Sequence, residues 1–184
     1  SIIWLESKVQ IQQIIMKSRK IFFSIVVPCY NVQDTLKETI ESILKQDFNN
    51  YEIVAVDDGS SDKTTEILNN YKIRNNIKVI TQSNKGLGAA RNTGIKASDG
   101  IYICLLDADD LWVRNKLTKV HEIIKNKKYS LVSNDEIILG NKYLFYLRNN
   151  PPRSLSNLLI SGNTLSPSAI TIKKEIFDKV GLFK

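Results

Sequence analysis

From residue 22 the chain alternates between short apolar runs and longer amphipathic stretches. Phe22-Phe23-Ser24-Ile25-Val26-Val27 is apolar and β-branched and ends at Pro28, which predicts a buried strand. Asp34 to Glu38 carries a capping signal, and Leu36, Ile40, Ile43 and Leu44 form a helical stripe behind it. A second strand is predicted over 51–56, followed by a helix from Asp62, as N-cap, to Tyr71. A third strand spans 77–80 and a third helix 87–97. A fourth strand, apolar throughout, covers 101–106, and a fourth helix 117–127. Past Tyr129 the alternation weakens. Strands are expected at 130–133 and 168–172 and an edge strand or hairpin arm at 141–147. A loop at 149–152, a short helix at 155–160 and a last helix at 174–180 complete the reading.

Strands that are apolar on both faces, joined by helices, mean a mainly parallel sheet covered on both sides. The fold class expected is a doubly wound α/β domain. In such a sheet, ligands bind beyond the carboxyl ends of the strands. Residues 1–20 stand apart. Ile2, Ile3, Leu5, Val9, Ile11, Ile14 and Ile15 recur at roughly helical spacing, and Lys17, Arg19 and Lys20 close the stretch. This predicts a leading amphipathic helix or linker, packed on a domain or lying on a membrane surface.

The length of 184 residues suits one domain over 21–184, and such a chain buries roughly 70% of its unfolded surface. The first residue is Ser, so the ends are expected to be arbitrary. No run of about 18 apolar residues predicts a spanning helix. Cys29 and Cys104 sit in apolar runs without metal-ligand spacing, which predicts reduced core thiols of a cytoplasmic protein. The formal charge of +7 suits an anionic partner. No zinc-finger or RNA-binding aromatic pattern accompanies it, so nucleic acid is not the expected partner.

The four strand ends carry the candidate chemistry. Asp107-Ala108-Asp109-Asp110 closes the fourth strand. Carboxylates about 4 Å apart repel by roughly 4 kcal/mol at an effective dielectric near 20, unless one is protonated, they point apart, or a cation sits between them. On extended backbone, Asp107 and Asp109 would lean to one side, where hard oxygen ligands suit Mg²⁺ or Mn²⁺ on a diphosphate. The competing reading is a set of acids capping the next helix. Asp57-Asp58 ends the second strand, and Gly59 permits a tight turn. Gly86-Leu87-Gly88-Ala89-Ala90-Arg91 opens a helix whose N–H groups, with Lys85 and Arg91, could meet a phosphate. Arg91 stands where a dinucleotide fingerprint needs its third glycine, and no P-loop or nucleophile elbow is present. The single histidine, His121, falls in a predicted helix and reads as a surface or half-buried side chain.

Taken together, four segments resemble the family-2 glycosyltransferases, which have the GT-A (Rossmann-like) fold. They are Ser24 to Asn31, Val56 to Asp62, Asn84 to Gly94 and Leu106 to Asp110, in family order and spacing, with a weaker continuation through Ser166-Pro167-Ser168 to Gly181-Leu182-Phe183. The resemblance implies a nucleotide-diphospho-sugar donor, most simply a UDP-sugar, Mn²⁺ or Mg²⁺, and inversion at the anomeric carbon. It implies that Pro28 and Tyr30 pack around the nucleotide, that Asp58 binds the base, and that Asp57 supports that turn. Asn84, Gly86 and Arg91 would line the nucleotide and diphosphate. Asp107 and Asp109 would form the D-x-D motif, with Asp109 on the metal, Asp107 on ribose or metal, and Asp110 behind them or capping a helix. The acceptor would be a glycan or a lipid-linked glycan of the cell envelope, which allows peripheral association with the inner membrane face. The catalytic base of the family follows the stretch matching 181–183 and would fall beyond Lys184, with Asp135 as a substitute. The chain therefore reads as the donor-binding part of a larger catalytic domain. A non-catalytic nucleotide-sugar-binding piece, a scaffold and a related nucleotidyltransferase are the alternatives.

Overall fold

The computed structural model describes residues 20–74, 76–139, 144–147 and 165–184. The leading segment up to residue 19, the loop at 149–152 and the short helix at 155–160 lie outside the described residues. The alternating part folds as β1 (Phe23–Cys29), α1 (Leu36–Leu44), β2 (Tyr51–Asp57), α2 (Thr64–Tyr71), β3 (Ile77–Thr81), α3 (Leu87–Ala97), β4 (Tyr102–Leu105) and α4 (Lys116–Lys127). Then come β5 (Leu131–Ser133), β6 (Glu136–Leu139), β7 (Leu144–Leu147), a 3₁₀ turn (Pro167–Ala169), β8 (Ile170–Lys173) and α5 (Glu175–Val180).

The main sheet has the order β3-β2-β1-β4-β8-β5. The first four strands are parallel, and β8 runs antiparallel between β4 and β5. The chain winds outward from β1 to β3 and then crosses to β4 on the other side of β1. That reversal is the topological switch at which doubly wound sheets bind ligands.

Strand period explains the continuous apolar runs. Phe23, Ile25, Val27 and Cys29 of β1 face one core cluster with Leu36, Ile40 and Ile43 of α1, Leu68 and Tyr71 of α2, and Leu117, Val120 and Ile124 of α4. Val26 faces the other cluster with Val54, Val56, Ile103, Leu105 and Ala90 and Ile95 of α3. Phe177 and Leu182 pack against that second cluster. Both faces are buried, so no position in the central strands is free to be polar without a partner. Burying each such Leu or Ile contributes roughly 1.5–3 kcal/mol.

Three boundaries differ from expectation. Pro28 does not end β1, which pairs with β2 through Cys29↔Asp57. On its other side β1 pairs with β4 only as far as Val26↔Leu105, so the amide missing at Pro28 costs no ladder bond to β4. The arm expected near 141–147 is β7, and its partner β6, absent from the sequence reading, forms a separate two-stranded sheet with it. Thr35 occupies the cap position of α1 but makes no side-chain cap bond; its hydroxyl is used at the strand ends instead. Both cysteines are free and buried, and His121 lies half-buried between the rings of Phe22 and Phe48 at 4.7 and 4.9 Å.

The candidate donor site at the strand ends

The residues expected to carry chemistry converge beyond the carboxyl ends of β2, β1 and β4, which are adjacent in the sheet. Each is held by a different local device.

Asp57 and Asp58 are both buried. Asp57 accepts the Ser60 N–H at 3.0 Å and the Thr65 hydroxyl at 2.6 Å, tying the β2 end to α2. Asp58 accepts Gln82 Nε2 and the Lys85 N–H on Oδ1, at 2.7 and 2.9 Å, and the Gly86 N–H on Oδ2 at 2.8 Å. The carboxylate implied to bind a base therefore organises the 84–86 loop, with three donors already on it. Gly59 makes this closure possible. Its φ is +77°, and a Cβ there would lie 2.8 Å from the Asn84 amide nitrogen. Asp62 sits one residue before the cap position of α2. Its Oδ1 accepts the Thr64 N–H at 2.9 Å and its Oδ2 the Gln33 N–H at 3.1 Å, so it braces the helix entry and binds the β1–α1 loop, while the N-cap position expected for it falls to Lys63.

Of the two residues expected around a nucleotide, Pro28 is buried within β1 and shapes the strand end, while the Tyr30 ring is half exposed. Asn31 follows in the left-handed region (φ 51°), and its Oδ1 accepts the Ser61 N–H at 2.8 Å. Asn84 is exposed, and its Oδ1 faces the Gly86 N–H at 3.2 Å. Gly86 precedes α3 with φ 87° and no side-chain cap. The first intrahelical bond runs from Ala90 N to Gly86 O, so the Leu87, Gly88 and Ala89 N–H groups have no acceptor within the helix. Arg91, on the first turns of α3, is buried, and its Nη2 pairs with Asp107 Oδ1 at 2.7 Å. Its Nε has no partner among the described residues, and its guanidinium lies 5.6 Å from the Phe183 ring.

The Asp107–Asp110 segment is not extended. β4 ends at Leu105, and a turn closes with the Asp110 N–H on Asp107 O at 3.1 Å. The expectation that Asp107 and Asp109 share a side through strand alternation is thus corrected: a turn, not the pleat, sets their directions. The same turn removes Asp110 from any role in capping α4, which starts six residues later at Lys116. The turn is anchored from three sides. Thr35 and Thr39 of α1 both donate their hydroxyls to Ala108 O, at 2.8 and 2.9 Å. Arg91 holds the Asp107 side chain. Ser168 Oγ accepts the Asp107 N–H at 3.0 Å. Asp109 is exposed, and no hydrogen bond or ion pair engages its side chain among the described residues. Burial, and then the charges of Asp109, Asp107 and Glu136, push the Asp110 carboxyl above its usual range, against the pull of the Ser168 hydroxyl.

Thr35, Thr39, Trp112, Lys116 and Ser168 were absent from the candidate list. Thr35 lies within the Asp34 to Glu38 capping signal, and its hydroxyl serves the turn instead. Ser168, part of the weaker continuation of the resemblance, carries no sign of this role, because its partners lie 52 or more residues away. Asp135 is exposed in the two-residue link between β5 and β6.

A divalent cation can be weighed against this donor set. No group of three or more His, Cys, Asp or Glu residues forms a metal cage among the described residues. An unengaged Asp109 beside Asp107, whose Oδ2 is outside the Arg91 pair, instead suits a hard cation that takes few protein ligands and completes its shell with water and phosphate oxygens. The residues fit such an ion.

The profile of glycosyl transferase family 2 matches residues 24–181. The chain belongs to this family. Within it, the chain is 38% identical to the glycosyltransferase GlyG of Streptococcus pneumoniae serotype 4 over 122 residues, 65% of this chain and 38% of GlyG. It is 40% identical over 121 residues to the Escherichia coli UDP-Glc:alpha-D-GlcNAc-diphosphoundecaprenol beta-1,3-glucosyltransferase WfgD, 64% of this chain and 47% of WfgD. The structure of Staphylococcus aureus TarS in complex with UDP superposes with a TM-score of 0.72 at 25% identity, covering 86% of this chain and 48% of that one. The chain thus spans less than half the length of these family members. The GT-A fold is the one that TarS has, and the mixed, mainly parallel six-stranded sheet matches it. No helix among the described residues is long and apolar enough to cross a membrane.

Proposed function

We propose that this chain is the donor-binding part of a metal-dependent, inverting glycosyltransferase. It would move a sugar from a nucleotide-diphospho-sugar, a UDP-sugar first among them, to an acceptor hydroxyl in cell-envelope polysaccharide or lipid-linked glycan synthesis. One observation carries the reading. The Asp58-organised loop, the open N-terminus of α3, Arg91 and the anchored Asp107–Asp110 turn meet over adjacent strand ends. UDP in the related TarS structure supports the donor class, and the diphosphoundecaprenol acceptor of WfgD supports a lipid-diphosphate acceptor. Work on such an acceptor would bring the chain to the inner face of the membrane.

In this reading the 84–86 loop, pinned on Asp58, sets the path of the nucleotide, and Tyr30 offers it an exposed ring face. The free N–H groups of α3 and the Lys85 side chain supply positive potential where a diphosphate would lie. Asp109 and Asp107 would hold Mn²⁺ or Mg²⁺. Bound there, the ion supplies neutralisation of charge on the departing diphosphate. The chain's own contribution is a turn fixed before any charge develops, which is where electrostatic catalysis gains most.

Isothermal titration with UDP-, GDP- and dTDP-sugars, with and without Mn²⁺, tests the proposal. Binding of one nucleotide class, strengthened by the metal and weakened about tenfold or more by Asp109→Ala, is the expected result. No binding by any donor, and no effect of Asp109→Ala, would overturn it.

A further inference from the structure

Ser168 meets three groups that lie 52 to 61 residues before it in the sequence. It lies in the 3₁₀ turn before β8 and is buried. Its hydroxyl oxygen accepts the Asp107 N–H at 3.0 Å. Its carbonyl accepts Lys116 Nζ at 2.7 Å and Trp112 Nε1 at 3.2 Å. Lys116 is itself only 7% exposed, and its ammonium sits 4.1 Å from the centre of the Trp112 ring.

The placement of Lys116 is the informative part. A lysine enclosed in this way is costly, and an apolar residue of similar length would remove that cost. The ammonium's bond to protein here is to a main-chain carbonyl, with the indole face beneath it. That arrangement fixes the orientation of the Ser168 peptide. Turning the peptide would carry the hydroxyl away from Asp107.

We propose that Ser168 is a positioning residue for the D-x-D turn, and that Lys116, seated on Trp112, holds Ser168 in its working orientation. The inference rests on the proposed metal-dependent donor site. Ser168 touches neither donor nor metal. It acts by fixing the Asp107 amide while the Thr35 and Thr39 hydroxyls fix Ala108 O, and so sets where the unengaged Asp109 carboxylate can reach.

Two measurements on wild type, Ser168→Ala and Lys116→Met test this. The first is hydrogen exchange at the Asp107 amide, followed by NMR without metal or nucleotide. Exchange at Asp107 should speed up at least about tenfold in Ser168→Ala and also in Lys116→Met, whose hydroxyl at 168 is intact, while amides in the middle of β1 keep their protection. Unchanged protection at Asp107 in Lys116→Met would overturn the role given to the lysine, and unchanged protection in Ser168→Ala would overturn the whole inference. The second is titration with UDP, with and without Mn²⁺. Ser168→Ala should bind UDP alone within about twofold of wild type but lose most of the Mn²⁺-dependent gain, expected to be about tenfold in wild type. Equal weakening with and without metal, or full retention of the gain, would reduce Ser168 to a packing residue. A wild type with no Mn²⁺ gain at all would sink the metal part of the proposed function, and the positioning role would then be decided by the amide exchange.

Discussion

Gly94 on α3 presses against the centre of the sheet, and replacing it by alanine tests how that helix is seated. A Cβ at residue 94 would lie 2.3 Å from Val26 Cγ1 and 3.3 Å from both Val26 Cγ2 and Val56 Cγ2. Carbon atoms rest about 3.5–4.0 Å apart, so more than about 1 Å must be found. Val26 is fully enclosed in a central strand and Val56 in its neighbour, so neither can yield. Overpacking of this kind costs about 1–3 kcal/mol, and this site belongs at the upper end. Alanine returns about 1 kcal/mol through helix propensity. The net expectation is a loss of about 2 kcal/mol, or about 4–8 °C in melting temperature for a chain of this size. Urea unfolding with an unchanged slope would measure it. Gly88→Ala is the control: its Cβ meets only ordinary contacts, at 3.6 and 3.7 Å, and no loss is expected. Val26→Ala should relieve the clash, so the double variant should be more stable than the sum of the singles predicts by about 1 kcal/mol or more. A Gly94→Ala protein as stable as wild type would refute the seating of α3. Because Arg91 lies one turn before Gly94, it would also remove the reason why the Arg91–Asp107 pair sits at 2.7 Å.

Asp58→Asn replaces an acceptor facing three N–H donors with an amide that must turn one N–H group toward them; it should cost about 1–3 kcal/mol by urea unfolding and release exchange at the Lys85 and Gly86 amides. Burial pulls the Lys116 ammonium down to about 8, against nearby Cys104, Glu136 and Asp110. Between that value and the ordinary lysine range near 10.4 the unfolded chain holds the extra proton, so stability must rise with pH across this window. Relative to Lys116→Met, wild type should therefore gain up to about 3 kcal/mol between pH 8 and 10, and a flat difference would show that the ammonium is not enclosed.

The fold was legible because its cause is local. Runs such as Ile53 to Val56 and Ile103 to Leu106 are apolar at every position, and only a strand covered on both faces explains that. The helices followed from stripes such as Leu36, Ile40 and Ile43. The order in which the strands lie could be expected in outline, but the antiparallel insertion of β8 between β4 and β5 could not, since four-residue strands carry little pattern. β6 was missed for the same reason. At the site, the positions of the acids were legible and their directions were not. Asp57 and Asp58 look alike in sequence, yet one braces α2 and the other braces the 84–86 loop. Asp107 and Asp109 were placed on one side by strand alternation, which fails because the strand has already ended in a turn.

That failure bears on how the site works. A pleated strand end would fix Asp107 and Asp109 by the sheet alone, and their spacing would be the same in any protein of this topology. A turn has no such default. Its geometry is set by what holds it, and here the holders come from three places: α1 through Thr35 and Thr39, α3 through Arg91, and the approach to β8 through Ser168. Each acts on a different atom of the turn: Ala108 O, Asp107 Oδ1 and Asp107 N. The backbone and one oxygen of Asp107 are engaged, while Asp107 Oδ2 and the Asp109 carboxylate are not. The arrangement separates two tasks that oppose each other, since an oxygen bound tightly by its own protein cannot also give its lone pairs to a ligand. The bonds that hold the turn supply the rigidity, and the oxygens outside those bonds keep their capacity to bind.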